Sequence, residues 1–162
     1  LHFLDDNTFD VTILFGPLYH LLTKEEKIQA LLEAKRVTKQ GGIILAAYIM
    51  NEYAVIYYCF GENKMKECMQ ESRLSDDFHT VTAPDDLYSY LRLEDIDELR
   101  RSAALERIKL FAQDGASDYM RRALNAMDEE TFSYFIQYHL ATCERPELLG
   151  ASSHVVDILR KA

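Results

Sequence analysis

Between Phe9 and Ile49 the chain reads FDVTILFGPLYHLLTKEEKIQALLEAKRVTKQGGIILAAYI, and this run leaves little topological choice. Val11, Thr12, Ile13, Leu14 and Phe15 form a short, nearly continuous apolar and β-branched stretch, the pattern of a strand buried on both faces. Gly16-Pro17 ends it. Thr23 stands three residues before Glu26, the spacing of a capping box, in which each side chain accepts the other residue's backbone N–H. Ile28, Leu31, Leu32 and Val37 then mark one apolar helix face, with Lys24, Glu25, Lys27 and Gln29 off it. Lys35, Arg36 and Lys39 put positive charge where the helix dipole favours it. Gly41-Gly42 is expected to stop the helix and turn the chain into a second strand, Ile43-Ile44-Leu45-Ala46-Ala47-Tyr48. Strand, helix and strand joined this way predict a parallel pair. Open parallel sheets bind ligands beyond the carboxyl ends of their strands, so Phe15-Gly16-Pro17-Leu18-Tyr19-His20 is expected at the functional end.

The chain has 162 residues, enough for one domain (1–162) with a real core. Its formal net charge of −9 argues against a nucleic-acid backbone or an anionic membrane as the main partner. No apolar run approaches the roughly 20 residues that span a bilayer. Cys59, Cys68 and Cys143 are odd in number and far apart, which suits buried free thiols in a reducing, cytoplasmic compartment. The chain opens on Leu1, and a parallel sheet starting there would have few strands. The expectation is the later part of something longer.

Further along, Glu52 to Phe60 and Glu62 to Arg73 predict two helices broken near Gly61. The aromatics Tyr53, Ile56, Tyr57 and Phe60 read either as cover for the sheet or as a lid over a substrate cavity. His79–Ala83 and Leu87–Leu91 alternate as short strands around Pro84-Asp85-Asp86 and predict a hairpin. Leu93–Ala103 reads as a helix with Ile96 and Leu99 inward, and Leu105–Ala112 as a strand. Asp118–Met127 reads as a helix. Asp128 caps another running to Cys143, with Phe132, Phe135, Ile136, Leu140 and Cys143 on its buried side. Arg145-Pro146 ends that helix, and Ser153–Leu159 closes the chain as a strand. Residues 51–92 and 113–149 are thus expected as lid or substrate insertions.

The pattern from Phe9 to Ile49, preceded by Asp6-Asn7-Thr8-Phe9-Asp10 and containing Arg36-Val37-Thr38-Lys39-Gln40-Gly41-Gly42, resembles the second half of class I S-adenosylmethionine-dependent methyltransferases. In that family a D-N-x-F-D turn leads into the fourth strand, and R-V-x-K-P-G-G leads into the fifth; Gln40 stands for the proline. The closing segment from Tyr138 to Lys161 is also similar to a bacterial branch of small methyltransferases. The resemblance implies an α/β, Rossmann-like fold: a half-sheet of later strands, mostly parallel, in the order fourth, fifth, seventh, sixth. The seventh strand is antiparallel, and a helical lid is added.

It also implies S-adenosylmethionine as cofactor, no metal, and a small-molecule acceptor. Leu1, His2, Phe15, Gly16, Pro17 and Leu18 would lie along the cofactor. Tyr19 and His20 would face the acceptor as candidate catalytic groups, with Tyr48, Met50 and Asn51 closing the crevice. His20 reads equally as a helix-entry residue bonded to a backbone carbonyl. The family's glycine-rich cofactor loop is missing, since the chain has no Gly-x-Gly. The expectation is impaired cofactor binding and an inactive fragment of an active whole. Two other classes stay open: a noncatalytic module dimerising through the exposed edge of the first strand, and a different doubly wound enzyme such as a nicotinamide oxidoreductase. His139 and Cys143, one helical turn apart, make at most half a metal site, and Asp76-Asp77 and Asp85-Asp86 read as solvated turns.

Overall fold

The computed structural model describes residues 3–161. Strand β1 (Phe9–Leu14) leads through the short helix α1 (Pro17–His20) to α2 (Lys24–Val37) and β2 (Thr38–Ile49). Next come α3 (Asn51–Ala54), a π-helical segment (Val55–Gly61) and α4 (Met65–Gln70). Helix α5 (Leu93–Ser102), β3 (Glu106–Ala112), α6 (Arg121–Leu124), α7 (Glu129–Thr142), α8 (Pro146–Leu149) and β4 (His154–Arg160) complete the chain. The sheet order is β1-β2-β4-β3, with β1 and β2 parallel and β4 antiparallel to both its neighbours. Both the parallel pair and the inserted reversed strand match the expected order.

The start of α2 forms as its sequence dictates. Thr23 Oγ1 accepts the Glu26 N–H at 3.2 Å, and the Glu26 carboxylate accepts the Thr23 N–H at 3.0 Å. Its end corrects the sequence expectation. The helix stops at Val37, where Thr38 turns extended and its hydroxyl donates to the Ala34 carbonyl at 2.6 Å. The glycines serve a bulge instead. Phe9 aligns with Thr38 but Val11 with Ile43, so Lys39 to Gly42 loop out of the ladder. Gly41 takes φ +75°, and a Cβ on Gly42 would meet Thr38 Cγ2 at 2.7 Å and the Asp10 carbonyl oxygen at 3.0 Å.

The core lies on one face of the sheet. Leu14, Ile44, Ala46, Tyr48, Val155 and Leu159 pack against Leu31 and Ala34 of α2 and Ile96 and Leu99 of α5. Asp157 is also buried on this face, held by Arg107 at 2.8 and 2.6 Å, and Arg107 reaches Asp97 of α5 as well. Burial pushes the Asp157 carboxyl up and the Arg107 guanidinium pulls it back.

The other face is a second correction. β1 was expected to be buried on both sides, yet Val11 is 51 % and Ile13 58 % exposed. On the same face Ile43, Leu45 and Ile158 are only half-buried. A continuous apolar run identifies a strand but not how many layers cover it.

The predicted hairpin does not form, because its backbone groups are satisfied elsewhere. Val81 N–H donates to the Arg73 carbonyl, Ser89 N–H to that of Tyr19, and Leu91 N–H to that of Ile49. Residues 87–91 therefore run as a strap across the carboxyl ends of β1 and β2, with one parallel bridge between Met50 and Leu91. Asp118–Met127 shortens to the single turn of α6. Helix α7 is capped by Asp128 as expected, but its supposed inner face is mostly solvent-exposed: Phe132, Ile136 and Leu140 lie open, Leu140 at 68 %. Phe135, His139, Thr142 and Cys143 are half-buried, lining a cavity of about 260 Å³ with Tyr119 and Leu148. The helix is tied down at its far end, where Ala112 N–H donates to the Cys143 carbonyl at 2.7 Å. No helix among the described residues is long and apolar enough to cross a membrane.

Candidate functional site

Three strands bring their functional ends to one edge: the turns after β1, β2 and β3, together with the first residue of β4. After β1, Gly16 adopts φ +124° and Pro17 opens α1. A Cβ on Gly16 would meet nothing nearer than the Tyr19 hydroxyl at 3.8 Å, so the backbone lies open there. Phe15 is 53 % exposed beside it, while Leu18 is fully buried and anchors the turn.

Across the edge stands a pair that the sequence reading missed. His154 Nδ1 lies 2.8 Å from Asp114 Oδ2, and the same carboxylate oxygen accepts the His154 backbone N–H at 2.7 Å. The Asp114 loop is itself held, because Ser152 Oγ accepts the Asp114 and Gly115 N–H groups and donates to the His154 carbonyl. The Asp114 hydrogen bond raises the His154 pKa above the ordinary imidazole value, against a smaller opposing effect of burial. Forty residues separate the two, so no local spacing signals them; the only hint was a polar residue at the mouth of each of two predicted strands.

The Tyr19 ring sits edge-on to His154 at 6.0 Å, and Tyr88 lies 6.1 Å from Tyr19 and 5.1 Å from His20. Tyr53 meets Tyr119 edge-on at 5.3 Å and stacks on Tyr57 at 5.3 Å. Burial pushes the Tyr119 phenol up to about 12, and its hydroxyl donates to the Ala151 carbonyl.

The predicted site residues divide. Tyr19 and the Phe15–Leu18 turn stand at the edge. His20 is spoken for: Nδ1 donates to the Leu87 carbonyl at 3.0 Å and pins the strap, the backbone-bonded reading of that residue. Tyr48 and Met50 are buried in the core, at 1 % and 0 % exposure, because they point toward the helix-covered face. Asn51 is equally buried: its amide donates to the Phe78 carbonyl at 3.1 Å and accepts the Thr80 N–H at 2.8 Å. All three side chains are closed off from the surface. Leu1 and His2 lie outside the described residues. Among the described residues no group of three or more metal-ligating side chains is gathered.

A second cavity, of about 190 Å³, lies under the lid and is lined by Tyr58, Cys59, Cys68, Glu71, Thr80 and Tyr88. Burial pushes the Cys59 thiol up to about 11, and the neighbouring Cys68 adds to the effect.

The family profile described as a methyltransferase domain matches residues 1–46. Among solved structures, an S-adenosylmethionine-dependent methyltransferase from Methanosarcina mazei superposes with a TM-score of 0.55 at 12 % identity, over 98 % of this chain and 62 % of its own length. This is the class I methyltransferase fold. A methyltransferase from Thermotoga maritima, named a possible histamine N-methyltransferase, gives 0.50 at 16 % identity, over 98 % of this chain and 58 % of its own. The [4+2]-cyclase SpnF gives 0.50 at 19 % identity, over 96 % and 52 %. The chain therefore spans less than two thirds of the length of these structures. No curated protein matches it. In the family's terms, β1, β2, β4 and β3 take the places of the fourth, fifth, seventh and sixth strands.

Proposed function

We propose that the protein containing this chain transfers a methyl group from S-adenosylmethionine to a small-molecule acceptor, with His154 as the acceptor's base. The observation that carries this reading is the His154–Asp114 pair at the functional edge of a methyltransferase-fold sheet. With Nδ1–H donated to the carboxylate, Nε2 keeps its lone pair and can take a proton from a hydroxyl or ammonium acceptor. Tyr19, edge-on to His154, supplies an aromatic wall to align that acceptor, and alignment is most of what a protein contributes to an in-line displacement.

The open Gly16 backbone and the exposed Phe15 fit the amino-acid part of the cofactor, which when bound supplies an electrophilic methyl group. No Gly-x-Gly occurs in the sequence, so this chain offers one wall of the cofactor site, and weak binding by the chain alone is the expected consequence. The acidic charge and three free thiols support a small-molecule substrate in a reducing, cytoplasmic setting.

Calorimetric titration with S-adenosylhomocysteine tests the cofactor wall, and transfer of a labelled methyl group to a panel of small alcohols, phenols and amines tests the reaction. Expected is weak but saturable binding, abolished by Gly16→Val, and transfer that His154→Gln lowers. Transfer unaffected by His154→Gln would overturn the base; tight binding would show that the main cofactor contacts lie within the chain.

A second reading rests on β1, which is the outermost strand and carries exposed Val11 and Ile13. A second copy could pair there, making the chain an oligomerising module. Light scattering decides: a strict monomer at high concentration overturns it.

A further inference from the structure

Cys59 and Cys68 bring their sulfurs to 3.7 Å across the contact between the π-helical segment and α4. Both are nearly fully buried in a small apolar cluster with Val55, Leu74 and Met65, separate from the main core. Packing alone asks only for apolar groups of the right size. Two facing thiols add a chemistry that such groups lack. Both cysteines also belong to the wall of the 190 Å³ cavity, which has ample room for a peroxide molecule, given that a liquid water occupies about 30 Å³.

We propose that Cys59 and Cys68 are an oxidative modification site, forming a reversible disulfide that staples the π-helical segment to α4, with hydrogen peroxide as oxidant. One cysteine gives up its proton as its sulfur attacks a peroxide oxygen; the O–O bond breaks, and a sulfenic acid and water are formed. The second thiol loses its proton and attacks that sulfur, the S–O bond breaks, and a second water leaves. Two electrons pass from the sulfur pair to the peroxide.

A disulfide measures about 2.05 Å between sulfurs, so the pair must close by roughly 1.7 Å. The elements that carry it can yield. Helix α4 has only six residues, and the turn before it holds Asn63 at φ +58°. Holding both sulfurs in contact makes the second step intramolecular, which favours it over further oxidation of the sulfenic acid. The staple reaches the functional edge through Tyr88, which walls the same cavity and packs against His20.

The test uses the full chain carrying Cys143→Ser, so that only the pair remains. After treatment with hydrogen peroxide, peptide mapping without reductant is expected to show a Cys59–Cys68 linked peptide two hydrogens lighter than its parts. Dithiothreitol reverses it, and the linked protein melts at a higher temperature than the reduced one. Cys59→Ala or Cys68→Ala, each in that background, sends the remaining thiol on to sulfinic acid. Sulfinic acid in the paired protein, a link between copies, two free thiols after prolonged exposure, or a linked product with an unchanged melting temperature overturns the proposal. None of these readouts depends on methyl transfer, so the proposal and the reading above fail independently.

Discussion

Neighbouring residues of one strand meet opposite fates on the two faces of this sheet. Ile44 is fully buried, while Ile43 beside it is half-buried; on β1, Leu14 is sealed and Ile13 is open. The sealed face is completed by helices that neighbour their strands in the chain, α2 after β1 and α5 before β3, so nearby sequence supplies both the strand and its cover. On the other face Val11 and Ile13 stay exposed, while Ala47, Ile49 and Val156 nearer the functional edge are buried, and α7 is tied at the end of β3 by the Cys143 carbonyl. Stability and chemistry divide the same way. The buried ion pair sits on the sealed side, whereas His154 shares the alternation of Val156 and Ile158 and belongs to the other.

This asymmetry can be broken or sharpened by measurement. The largest expected effect is Arg107→Leu, which strands Asp157 without its partner on the sealed face and should destabilise by about 3–5 kcal/mol in denaturant unfolding. A loss below about 1 kcal/mol would mean that water reaches Asp157. Leu159→Ala, on the same face, should cost about 2–5 kcal/mol through the cavity it leaves.

On the other face, His154→Gln should cost less stability than either substitution above and, on the role proposed for it, lower the turnover about 100-fold, within the range of general-base catalysis. In the intact site, turnover should climb as pH rises through the raised His154 pKa, because only the neutral imidazole accepts a proton. The stability linked to the same group runs the other way. It is fully present below the unfolded imidazole value of about 6.5 and fades as pH climbs through the folded value.

Smaller still, Thr23→Ala removes one half of the capping box and should cost about 1 kcal/mol. Ile13→Thr on the open face should stay within about 0.5 kcal/mol. A loss near that of Leu159→Ala would reveal a cover over this face in solution.

Periodicity and capping disclosed the strands and α2, α5 and α7, because each depends on contacts within a few residues; a connection rule made β1 and β2 parallel, and the full strand order came from the family resemblance. The faces were harder to read. Phe132, Ile136 and Leu140 form a helical stripe whether or not anything packs on it, and Val11 and Ile13 are β-branched on either side of a strand. The strap was misread as a hairpin because alternation marks an extended chain without naming its partner; the partners of Ser89 and Leu91 come from distant turns. At the functional edge, the turn after β1 followed from topology. The pairing of Asp114 with His154 rests on β4 inserting next to β3, a juxtaposition written across 40 residues rather than in any motif.

Asn51 hangs the middle of the lid from the end of β2 through one carboxamide, which grips Phe78 and Thr80 together. Between that hook and the bridge at Leu91, the intervening turns owe nothing to the ladder. Nature, or an engineer, can lengthen, trim or exchange them without shifting the register of a single strand. Under the methyl transfer proposed above, this segment is where a new acceptor preference would be sought, over an unchanged platform and with the hook kept.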